Sequence, residues 1–164
     1  MRNRPLCLAL ILFVATSTTA CAGLLASLDG GQGAIKDART RGDLPTLRKL
    51  CANKDGKVLK KFVKDACWAR APVARAKFDA AAKDCGKLDA AWDRYKDDML
   101  VDVPNYADED QEPNYKAAVA RFWACGKKDV VFSRFLLSKE IDGGAGVDWT
   151  LEALHEKGVD LAGE

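Results

Sequence analysis

The chain is poor in the residues that do covalent chemistry. It has one histidine, His155, and four serines, Ser17, Ser27, Ser133 and Ser138. No serine or second histidine stands at a recognisable distance to form a nucleophile pair with His155, so hydrolytic triads and dyads find no candidates and the catalytic set is read as none. There is no Gly-rich phosphate loop, no C-x-x-C pair and no run of basic and aromatic residues, which argues against nucleotide, zinc and nucleic-acid chemistry alike. No cofactor and no metal site is expected. β-Branched residues are few and no stretch alternates polar and apolar for the length of a strand, which excludes a sheet protein. Beyond the N-terminus no apolar run approaches the roughly 20 residues that cross a bilayer.

What the chain does have begins at its start. Arg2 and Arg4 precede an apolar stretch, Pro5 to Ala15, and a small-residue segment ending at Ala20. That order of charge, short apolar core and small residues is an export leader, residues 1–20. Thr18-Thr19-Ala20-Cys21 resembles a bacterial lipobox. The resemblance implies cleavage before Cys21 and acylation of its thiol and amino group, by palmitate-type chains, at the new N-terminus. More than one chain gives stable anchoring. Ala22, a residue other than Asp, implies outer-membrane sorting in that family. The competing reading is an ordinary secretory site at Thr18-x-Ala20, leaving a soluble periplasmic or secreted protein with a free thiol.

Cysteine parity bears on the choice. Cys7 leaves with the leader, and Cys21, Cys51, Cys67, Cys85 and Cys125 remain, an odd number for an exported protein. Lipid on Cys21 leaves an even four, enough for two disulfides in a small body. Cys51–Cys67 with Cys85–Cys125 is the first pairing considered and Cys51–Cys85 with Cys67–Cys125 the second.

Without residues 1–20 the charges balance, 24 basic against 24 acidic. They are unevenly spread: residues 36–96 hold 17 basic and 8 acidic side chains, residues 97–164 hold 7 and 15. Two solvated helix surfaces account for this; the sharper reading turns the basic half toward anionic lipid and the acidic half outward.

Along the mature chain, residues 21–33 are small and Gly-rich and read as a flexible tether. Residues 34–164 read as a single all-α domain. Helices are expected over Ala34–Arg41 and Leu44–Ala52, the second capped by Asp43 with Pro45 in its first turn. Leu59, Phe62, Val63 and Ala66 form an apolar stripe opposite Lys57, Lys60, Lys61 and Lys64, and Pro72 ends or kinks that helix. A fourth helix is expected to run to about Cys85. Residues 101–113, with Asp102, Asp108, Glu109, Asp110 and Glu112, read as an exposed acidic loop, and Pro113 as the start of the next helix. Asp148 is expected to cap a last helix with Leu151 and Leu154 inward.

An internal repeat ties these elements together. Cys85-Gly86-Lys87-Leu88-Asp89-Ala90-Ala91-Trp92-Asp93-Arg94-Tyr95 recurs 40 residues later as Cys125-Gly126-Lys127-Lys128-Asp129-Val130-Val131-Phe132-Ser133-Arg134-Phe135. Gly is read as a left-handed cap of one helix, Asp as the cap of the next, and the aromatics as filling between them. The pattern resembles the tetratricopeptide-type repeat, with Ala91, Tyr95, Val131, Phe135 and Ser138 at its second-helix positions and Tyr115 and Phe122 at its first-helix positions. Asp98 departs from it, standing where that family has a small residue. The implied architecture is antiparallel helical hairpins stacked as a short α-α superhelix, stapled by disulfides.

The function expected on these grounds is a lipid-anchored, non-catalytic protein-binding module of the bacterial envelope. Its candidate contact surface lies around Trp92, Tyr95, Phe132 and Phe135, against the plainer reading that most of them pack the core. The alternative is a periplasmic enzyme or inhibitor with a site near His155 or residues 108–112.

Overall fold

The computed structural model describes residues 31–101, 108–137 and 145–159, and among these every regular element is helical. The leader, Cys21 and most of the tether lie outside the described residues. Eight helices follow in order: α1 Gln32–Thr40, α2 Leu44–Ala52, α3 Lys60–Trp68, α4 Arg70–Ala81, α5 Leu88–Met99, α6 Asp108–Ala124, α7 Lys128–Val130 continued as a π-helix Val131–Leu136, and α8 Ala145–His155. They form two compact units that divide between Ala69 and Arg70.

In the first unit α1 and α3 both pack on α2. The core is small: Ile35, Ala38, Leu44, Leu47, Val58 and Ala66 are buried. α1 begins at Gln32, so the last residues assigned to the tether are helix; Gly31 takes a left-handed conformation there, and a Cβ on it would meet Val58 at 3.2 Å. Asp43 caps α2 as expected, its Oδ1 accepting from the Thr46 backbone N–H at 3.1 Å and its Oδ2 from the Thr46 hydroxyl at 2.7 Å. The α2–α3 connection is clamped by Asn53, whose backbone is left-handed with φ 45°. Its amide donates to Val58 O at 2.8 Å and its Oδ1 accepts from Val58 N–H at 2.9 Å. Cys51 on α2 and Cys67 on α3 are joined, with Cα atoms 4.6 Å apart.

The apolar stripe of α3 is inward only in part. Ala66 is buried and Phe62 and Val63 are half-buried, but Leu59 is 53% exposed. Leu59 precedes the helix with extended backbone (φ −59°, ψ 139°), so helical spacing does not govern where it points. In keeping with the break expected at Pro72, α3 ends at Trp68, four residues ahead of it; the chain turns at Ala69 and restarts as α4 at Arg70, which leaves Pro72 in a first turn where its missing N–H costs no hydrogen bond. α4 ends at Ala81, earlier than expected.

The second unit pairs α4 with α5 and α6 with α8. Trp92 is fully buried at its centre, with ring centroids of Phe78 at 6.0 Å, Tyr115 at 6.3 Å and Phe135 at 5.1 Å. Phe122 and Trp149 extend this cluster through Phe135 and Tyr115. The polar groups within it are satisfied: Phe135 O accepts from the Tyr115 hydroxyl at 3.2 Å, and the Thr150 hydroxyl donates to Gly146 O at 2.6 Å. α6 is held by side chains that satisfy carbonyls at the ends of other helices. Asn114 donates to Met99 O at 3.0 Å and Arg121 to Ala82 O at 2.7 Å.

α6 starts at Asp108, five residues before the expected start, so the acidic loop is helix from there onward and Pro113 lies within it. A proline in the second turn forfeits only one bond. Residues 102–107, the rest of the expected loop, lie outside the described residues, as do residues 138–144. α8 begins at Ala145, which puts Asp148 in its first turn rather than at its cap. Leu154 is buried, whereas Leu151 is 42% exposed.

Candidate functional site

The two copies of the repeated segment meet at their first residue. Cys85 sits in a short 3-10 turn ahead of α5 and Cys125 just past the end of α6, and the two are joined with Cα atoms 5.5 Å apart. Helices packed side by side lie about 8–10 Å apart. The bridge fits because both cysteines stand in turns beyond the packed segments.

The copies are not conformationally alike. Gly126 is left-handed with φ 72°, ending α6 as expected, but Gly86 is not; its N–H is taken by Asp84 Oδ1 at 2.9 Å. The capping carboxylate of the first copy is therefore Asp84, one residue before the repeat, and Asp89 and Asp129 lie in first helical turns. The hydrogen bonds from Lys87 and from Gly86 N–H hold the Asp84 carboxyl below the usual range. Asp89 instead reaches the second copy: Lys127 donates to it, and Arg134 pairs with Asp93 and approaches Asp89 at 3.9 Å.

Burial divides the four aromatic candidates. Trp92 and Phe135 are core residues, closed to any partner, because their rings fill the space where α4, α5, α6 and the π-helix converge. Tyr95 and Phe132 are half-buried and keep a solvent face. Phe132 stacks edge-on against Trp123, also half-buried, with centroids 6.4 Å apart, and Lys128 Nζ lies 5.0 Å over the Trp123 ring. One turn on, where Leu137 N–H donates to Phe132 O, the Leu137 side chain is 78% exposed. Leu137 escapes a sequence reading because it stands two residues beyond the repeated motif.

No family model, curated protein or solved structure matches this chain.

The two regions of the alternative site are brought together. Glu112 of α6 and Glu152 and Glu156 of α8 converge on Lys116, at 2.6 Å for Glu112 and 4.0 Å for Glu156, with Glu152 also hydrogen-bonded. The hydrogen bonds it donates to Glu112 and Glu152 push the Lys116 ammonium up from its ordinary value, so it stays protonated and is no base or nucleophile near neutral pH. His155 is exposed beside this group, in a shallow depression with Leu151, Glu152 and Glu156. Helix pairing by charge is what the arrangement does. The side chains of Asp108, Glu109 and Asp110 lie outside the described ones.

Proposed function

We propose that the protein is exported by residues 1–20, acylated at Cys21 and held at a bacterial envelope membrane, outer membrane first, where its second unit binds a protein partner. The lipobox-like Thr18-Thr19-Ala20-Cys21 supports the anchor, and two disulfides fit an oxidising compartment. The tetratricopeptide-like repeat belongs to the same reading, since arrays of helix pairs serve as binding surfaces.

The observation that carries the binding role is the Trp123–Phe132 pair. Paired aromatics with one face in solvent, rimmed by Lys128 and by Leu137, have the composition of an interface centre, whereas Phe78, Trp92, Tyr115, Phe122, Phe135 and Trp149 are committed to packing. Tyr95 is retained as a peripheral contact.

Capture from solubilised envelopes tests this with the native chain and a Trp123→Ala/Phe132→Ala variant. The native chain is expected to retain a defined partner that the folded variant loses. Equal recovery by both, or no specific partner, would remove the proposal. Intact mass of the membrane fraction tests the anchor separately.

A further inference from the structure

Residues 31–69 hold ten lysines and arginines against four aspartates. Part of that excess is concentrated on one side of α3. Lys60, Lys61, Lys64 and Trp68 fall within about 100° of helical arc, away from Phe62 and buried Ala66. Lys60 and Lys61 are exposed, and Lys57 stands ahead of the helix beside the exposed Leu59. Among the described residues, Lys60, Lys61 and Lys64 have no carboxylate within ion-pair distance. Two of them lie over rings instead, Lys61 Nζ at 4.7 Å from the Phe62 centroid and Lys64 Nζ at 4.3 Å from that of Trp68.

Lys57 reaches Asp55 at 3.6 Å, and beyond that pair and the two ring contacts this face adds little to the fold. Lys60 and Lys64, one turn apart, repel, and Leu59 is left in water. A surface that is negative and also accepts an apolar side chain answers both features, and anionic phospholipid is such a surface. Its position in the chain agrees. Ten links separate Cys21 from Gly31, a reach of at most about 35 Å, so lipid on Cys21 keeps this unit close to headgroups.

We infer that the face formed by Lys57, Leu59, Lys60, Lys61 and Lys64 docks the first unit on anionic phospholipid. The inference rests on the lipid-anchored reading for its location, and its test is arranged so that the two fail separately. The mature chain carrying Cys21→Ser, which no acyl group can reach, is floated with vesicles of phosphatidylcholine alone or mixed with phosphatidylglycerol. Binding to the mixed vesicles only, weakened by salt, is expected. Lys60→Gln/Lys61→Gln/Lys64→Gln should reduce it at least about tenfold, since each lysine near an anionic surface contributes about fivefold. Leu59→Ser should weaken it with all charges kept, and helical circular dichroism reports that both variants are folded. Absence of binding, equal binding to both vesicle types, or full retention by the lysine variant would overturn the inference. So would displacement by duplex DNA at equal phosphate, which would make the face a general polyanion site. Absence of acyl mass on the native chain would fail the anchor alone.

Discussion

The guanidinium of Arg70, at the first residue of α4, donates to the carboxylate of Asp98 near the end of α5 at 2.8 Å, and also to Asp97 O at 3.1 Å. Asp98 is 2% exposed and Arg70 17%. This is the position where a small residue suits a tetratricopeptide-type repeat, and here a buried charge pair takes its place.

Breaking that pair is expected to be asymmetric. Arg70→Ala takes the guanidinium away from a buried carboxylate and should cost about 3–5 kcal/mol. Asp98→Asn keeps an acceptor for Arg70, whose head can lean into solvent, and should cost less than half as much. Guanidinium denaturation at neutral pH measures both; equal losses would refute the asymmetry.

The two disulfides should differ in value with the loops they close. The separations are 16 residues for Cys51–Cys67 and 40 for Cys85–Cys125. Loop-closure entropy makes these worth about 3 and about 4 kcal/mol. Removing each pair as Cys→Ala doubles, with non-reducing peptide maps as control, should show the Cys85–Cys125 loss to be the larger.

Trp92 is expected to act as core and Phe132 as surface. Trp92→Ala should cost about 3–5 kcal/mol because four helical segments close around its ring. Phe132→Ala should stay within about 1 kcal/mol. Thermal melts that rank them the other way would also dispose of the proposed interface.

Lys116 keeps Glu112, Glu152 and Glu156 compatible. Because its folded pKa is raised above the ordinary 10.5, the stability it contributes is fully present below that pH and is lost only as pH rises through the folded value. Lys116→Ala should therefore be less stable at pH 7, with three carboxylates left facing one another, by about 1 kcal/mol. The deficit should shrink as pH rises above about 10.5 and the native Lys116 gives up its proton. A deficit independent of pH would point to lost packing instead.

Asp84 gives the opposite sign. Its folded pKa lies below the ordinary 3.8, so its contribution is present above that value and disappears as pH falls through the folded one. Asp84→Asn should lose part of the native acid dependence in that window while behaving like the native chain under strong acid, which acid titrations followed by circular dichroism will read.

Much of this was legible in advance where cause and effect lie within a few residues. The Asp43 cap, the α2 boundaries and the left-handed Gly126 follow from local backbone chemistry. Leu59 misleads because periodicity presumes a helix that begins one residue later. Gly86 misleads because Asp84, just outside the repeated motif, offers its N–H a competing acceptor. Glu112 is four residues from Lys116 and so within view, whereas Glu152 is 36 away and comes into range only when α8 packs on α6.

By itself, then, the order of residues determined an all-helical chain, its turns and the cysteines available for bridging, because hydrogen bonds, caps and the helical period act over about four residues. Which aromatics became core, which cysteines joined and which partner Asp98 received were decided by tertiary structure. Each depends on segments more than about four residues apart in sequence meeting in space, and that meeting is settled by the packing of all the helices in a unit at once.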